Sequence, residues 1–177
     1  TVKEIIQPSP SVLESQKDDS LSKAPDWLFT NDNDKKIVED TGDKYELNDD
    51  FIIKLMVLGN KDERKDIVAK WGELSSYLGH PTLGNIVALI RDGRPFVVTK
   101  TVLILVYDFA KLADRLNIKT NQTNVSEVIS KMINREMFVY AVSRDESMRL
   151  IKAFGNLRQI SKLPKANEIK IDIKEIK

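Results

Sequence analysis

The chain has 177 residues, 41% hydrophobic and 31% charged, enough for one ordinary core and short for two large domains. It contains no cysteine, which excludes a disulfide framework and any thiolate metal site. No apolar run approaches the roughly 18 residues of a membrane span, and the opening TVKEIIQPSPS lacks the basic and apolar regions of a signal peptide, so a soluble cytoplasmic protein is expected.

The formal net charge of +1 conceals a division near Asp50. Residues 1–50 carry 6 Lys/Arg against 13 Asp/Glu, a net −7, whereas residues 51–177 carry 22 against 14, a net +8. The acidic part contains QPSPS, QKDDS and NDNDKK, with too little apolar surface to offset the entropy of ordering it. Residues 1–46 are therefore expected to be a largely disordered linker, and the immediate polar start is what a fragment of a longer protein would show. PDWLF, Pro25 to Phe29, and the pair Ile37 and Val38 could dock on the domain or on a partner; a sticky spot in a disordered tail is the plainer reading.

Residues 47–163 carry the signals of a folded domain. LNDDFIIKLMVL predicts a helix from Leu47 to Leu58, with Asn48 as N-cap and Gly59 past its end. Ile67, Trp71, Leu74 and Leu78 step by four, three and four, which predicts one α-helix with Trp71 at or near the core. Leu83, Ile86, Val87 and Ile90 predict a third helix, closed by the turn residues RDGRP. Two apolar runs then flank Lys100 and Thr101 as a hairpin, PFVVT and Val102 to Tyr107. The unbroken second run predicts a central strand covered on both faces.

Phe109, Leu112, Ala113 and Leu116 mark a fourth helix ending near Asn117, and a fifth is predicted from about Val125 to Asn134, with Asn124 and Glu127 at capping-box spacing. MFVYAV, Met137 to Val142, is a third strand. Ser143 and Glu146 repeat the capping-box spacing before a sixth helix through Met148, Ile151 and Phe154. After Pro164, residues 164–177 form a C-terminal strand or tail, in which Ile169, Ile171 and Ile173 alternate with polar residues. The expected fold is α+β, a small sheet of three strands, four if the tail joins, packed with five or six helices.

Tests for chemistry come back mostly empty, and no catalytic, cofactor or metal residue is assigned. GHPTLGNI has the glycine spacing of a phosphate-binding loop but offers Asn85 and Ile86 where Lys and a hydroxyl are required, so a helix connection is the simpler reading. His80, the one histidine, reads as a connector residue in that turn. Carboxylate pairs such as Asp62 with Asp66, and Asp145 with Glu146, are assigned to first helical turns, where they complement the dipole. A nucleic-acid surface including Arg94, Arg115 and Arg144 is the competing function for the basic part. Against it, Phe96, Tyr107, Phe138 and Tyr140 lie within core-like runs, and the chain has no GxxG loop.

The run from a helix ending at Lys70 and Trp71, through NIVALIRDGRPFVVTKTVLILVYDF and LADRLN, to VSEVISKM and MFVYAV, resembles the C-terminal domain of the gamma/tau subunit of bacterial DNA polymerase III over roughly residues 50–160. The resemblance implies a non-catalytic, truncated KH-like domain, tied by a flexible linker to an ATPase clamp-loader portion. Its implied role is to tether the clamp loader to the replicative polymerase, with the replicative helicase as a nearby partner. The alternative is a KH-like domain binding single-stranded nucleic acid. For the protein-binding role the tail residues Ile169, Ile171, Ile173 and Ile176 are the candidate partner segment, since a free strand with one apolar face can add to another sheet; completion of the domain's own sheet is the competing reading.

Overall fold

Helix α1, Asp49–Leu58, begins where the Asn48 side chain accepts a hydrogen bond from the Phe51 amide at 2.7 Å, with Asp49 and Asp50 in its first turn. The computed structural model describes residues 42–173 and Ile176; the expected linker up to residue 41, with PDWLF, Ile37 and Val38, lies outside them. Helix α2, Lys61–Lys70, follows at once because Asn60 caps it, accepting from the amides of Asp62 and Glu63. Asp62 lies in its first turn as expected, whereas Asp66 falls in the second.

The α-helix does not continue through Trp71 as the spacing predicted. A 3-10 helix, Trp71–Tyr77, replaces it. Trp71, Leu74 and Tyr77 recur every three residues, the repeat that stacks on one face of a 3-10 helix. Leu74 is fully buried, and Trp71 and Tyr77 pack against the same core from half-buried positions. Helix α3, Gly84–Asp92, leads into β1, Arg94–Val98, and β2, Val102–Tyr107. Thr99 closes the hairpin: its Oγ1 accepts from the Val102 amide and its own amide donates to the Val102 carbonyl.

Helix α4, Ala110–Asn117, is separated from α5, Lys119–Ile133, by Ile118 alone. Helix α5 thus starts well before the predicted Asn124 cap. Its polar first turns are drawn into the helix by tertiary bonds: buried Gln122 donates to the Val139 carbonyl at 2.7 Å, and the Lys119 amide donates to the Asp43 carbonyl. Asn134 ends α5 in the left-handed region, as an Asn tolerates. Strand β3, Phe138–Ser143, and α6, Arg144–Gln159, complete the fold, with a 3-10 turn at Ala166–Glu168.

The fold is α+β, with six α-helices among the described residues and a three-stranded mixed sheet ordered β1-β2-β3. β1 is antiparallel to β2, with a bulge between Pro95 and Val97, and β2 is parallel to β3. β2 is central and covered on both faces, as its apolar run requires. Leu103, Leu105 and Tyr107 point into a core built with α3, α4 and α5, while Val102 and Ile104 point into a second core built with α1 and α6.

The alternating tail does not add a fourth strand. Both sheet edges are already engaged: the Asn60 amide donates to the Val98 carbonyl on the β1 side, and the Asn117 and Gln122 carboxamides bond the outer backbone of β3. Three of the four tail isoleucines turn to the second core instead, and Ile169 is half-buried outside it. Ile171 and Ile173 pack against it, and Ile176 is 7% exposed. No helix among the described residues is long and apolar enough to cross a membrane.

Candidate protein-docking site

Parallel pairing sets Tyr107 beside Ser143, so β2 and β3 end together. Asp108 and Phe109 therefore leave the sheet next to the first turn of α6, and Arg94, opposite Val106, enters β1 at the same end. Arg94 Nη2 donates to Asp108 Oδ1 at 2.6 Å, and Arg144 Nη1 approaches the same oxygen at 3.9 Å. One carboxylate thus faces two guanidiniums, both about two-thirds exposed. The start of α6 is held by a reciprocal cap: Ser143 Oγ accepts from the Glu146 amide, and Glu146 Oε2 accepts from the Ser143 amide.

Helix α6 buries Ser147 and Leu150 and packs Ala153, Phe154 and Leu157 behind them. Met148 and Ile151, used above with Phe154 to mark the helix, face outward at 61% and 51% exposed. Phe109, read as the first apolar position of α4, is its N-cap and is 70% exposed. These three residues were missed as surface. The signal was present in the sequence, since α6 carries two apolar stripes and a helix lying on one core needs only one.

Of the arginines proposed for nucleic acid, Arg94 and Arg144 are brought together through Asp108. Arg115 is not: it occupies the last turn of α4, roughly 9 Å along the helix axis from Phe109 at 1.5 Å per residue. The strand aromatics are largely withdrawn, with Tyr107 and Tyr140 at 0% and 2% exposed and Phe96 and Phe138 packed against the second core. Burial raises the phenol pKa of Tyr140 to about 12, with the neighbouring Tyr45 adding to the shift.

No family model, curated protein or solved structure matches this chain.

Two recesses flank this end and the far edge of the sheet. One, of about 280 Å³, is lined by Tyr45, Asp49, Asp114, Asn117, Glu146 and Arg149. Four of its charges are matched in pairs, because Lys44 meets Asp114 at 3.0 Å and the Arg149 fork grips the Asp49 carboxylate. That guanidinium holds the Asp49 carboxyl below its usual range, against the opposing effect of burial. The second, of about 270 Å³, lies beside β1 between Met56, Arg64, Phe96 and Val98.

The GHPTLG turn has a packing reason for its glycine. A Cβ on Gly84 would lie 2.5 Å from the Leu78 carbonyl oxygen. His80 ties the same turn, its Nδ1 accepting from the Thr82 and Leu83 amides at 3.4 and 3.3 Å.

Proposed function

We propose that this chain is a non-catalytic protein-interaction domain of a bacterial DNA polymerase III holoenzyme, the tau-type module that tethers the clamp loader to the replicative polymerase in the cytoplasm. The replicative helicase is the second partner in this reading. One observation carries the protein-binding part: Phe109 follows Asp108 of the Arg94–Asp108–Arg144 group, and Met148 and Ile151 continue from Arg144 along one face of α6, all three exposed. Aromatic, Met and Arg side chains are the types enriched where protein surfaces meet. The tau assignment is supported by the sequence resemblance and by an element order, β-β-α-α-β-α, that suits a truncated KH-like domain.

The competing nucleic-acid reading asks for aromatic rings free to stack on bases, and burial of Tyr107 and Tyr140 weighs against it. The test titrates the full chain against the replicative polymerase subunit and, separately, against single-stranded DNA, at low and at moderate salt. A polymerase complex that survives moderate salt is expected, because an apolar contact releases few counterions. Tight DNA binding that collapses with salt, without a polymerase complex, refutes the proposal. Charge reversal at Arg94, Arg115 and Arg144 would then locate the DNA surface.

A further inference from the structure

Along α6, residues 144, 148, 151 and 155 fall within about 60° of one another at 3.6 residues per turn. The stripe therefore reads Arg144, Met148, Ile151, Gly155, and at its N-terminal end Asp108 joins it to Phe109 through the Arg144 contact. Gly155 is the unusual member. It occupies the interior of a 16-residue helix, where Gly is the poorest helix former after Pro. Yet a Cβ there would meet nothing within 4 Å among the described residues, so their packing does not require it. The glycine leaves a notch in line with two exposed apolar side chains.

The charges around the stripe are predominantly basic. Arg94 and Arg144 share the single Asp108 oxygen at its start, and helical spacing sets Lys152 and Asp145 along its flank, three basic groups to two acidic. Carboxylates brought by a partner would complete the coordination of both guanidiniums, which present several donors in a fixed fork.

We propose that the Phe109–Met148–Ile151–Gly155 face is the docking surface for an acidic segment of the partner protein, one that sets its apolar side chains over Met148 and Ile151, lays its backbone close to Gly155 and directs its carboxylates at Arg94 and Arg144. This rests on the protein-interaction reading above and names the surface and the partner chemistry. Ile171 and Ile173 pack against the second core and Ile176 is buried, whereas Phe109, Met148 and Ile151 are each more than half exposed.

The test uses the full chain and overlapping synthetic peptides that tile the replicative polymerase subunit, read by fluorescence anisotropy, with the intact subunit measured in parallel. Peptides that bind should be net acidic with at least two large apolar residues, and replacing their acids by Lys should abolish binding. Phe109→Ser with Met148→Ser, and separately Arg94→Glu with Arg144→Glu, should each weaken the peptide and the intact subunit about tenfold or more, the scale of a lost anchor. Their thermal midpoints should stay near the parent's, because these side chains are exposed. Gly155→Ala gives the sharpest discrimination: it should raise the thermal midpoint of the free chain while weakening the complex, which a merely structural glycine would not do.

If the intact subunit binds all three variants as it binds the parent, the surface assignment is overturned while the protein-interaction reading stands. If neither the subunit nor any peptide binds the parent, both fail. Single-stranded DNA that competes for this face with a steep salt slope, or a concentration-dependent dimer abolished by Phe109→Ser, would also overturn the assignment, giving the face to nucleic acid or to a second copy.

Discussion

Asn117 shows how one side chain can close a sheet. Its Nδ2 donates to the Ala141 carbonyl and its Oδ1 accepts from the Ala141 amide, both at 2.8 Å, so the carboxamide imitates the strand that β3 lacks on its outer side. Asn117 is 7% exposed, and both backbone groups would be orphaned if it were replaced by an apolar residue. Asn117→Leu should destabilise the domain by about 2–6 kcal/mol, given roughly 1–3 kcal/mol for each of the two buried unpaired groups. Chemical denaturation measures this directly, and a loss under about 1 kcal/mol would show that water or a shifted backbone serves the edge instead. Asn at the end of an amphipathic helix reads in sequence as a stop signal. Its partner, Ala141, is 24 residues away and carries no side-chain signature, so the edge lock was not readable from the chain.

Caps and periods decide most of the elements, and they divide cleanly by where their partners lie. Asn48, Ser143 and Glu146 act within one helical turn, and each does what its spacing predicts. Asn124 and Glu127 have the same spacing but lie inside α5, where Glu127 pairs instead with Lys131 at 2.6 Å. The helix start moved because Gln122 and Lys119 found partners on β3 and at Asp43, contacts no local pattern contains. Ser143→Ala should therefore cost about 1 kcal/mol, the usual value of a lost N-cap, whereas Asn124→Ala at an interior position should be neutral or slightly stabilising. Equal losses in parallel urea titrations would mean that α5 begins at Asn124 after all. The 3-10 helix at Trp71–Tyr77 carries the same lesson for periodicity. Ile67, Trp71, Leu74 and Leu78 fit an α-helix, and Trp71, Leu74 and Tyr77 fit a period of three; packing against the core selected the second.

At the scale of the whole molecule, two cores share one sheet, and a tyrosine is buried in each. Tyr107 donates to the Leu89 carbonyl at 2.7 Å in the first, and Tyr140 meets the edge of the Tyr45 ring in the second. Burial raises both phenol pKa values, Tyr140's to about 12, with Asp92 adding to the shift at Tyr107 and Tyr45 at Tyr140. The unfolded chain loses these protons near pH 10, so it binds fewer protons than the folded state above that point. The stabilisation is complete below about pH 10 and declines as the pH rises from there toward about 12. Thermal midpoints followed across this window should fall more steeply for the parent than for Tyr140→Phe. Identical slopes would show that Tyr140 titrates as freely when folded as when unfolded.

The sequence by itself determined the α+β class, the hairpin, the central place of β2 and the order of the helices, because these follow from local period, capping and turn chemistry. The tertiary structure decided which apolar residues are core and which are surface. Phe109, Met148 and Ile151 satisfy helical spacing as well as Leu150 and Phe154 do, yet a helix can turn only one side to a sheet, and only packing selects the side. It also decided the fate of Ile171, Ile173 and Ile176. Their alternation fits a strand, but both sheet edges are already bonded by side chains and by α2, so burial against the second core is what remained for them.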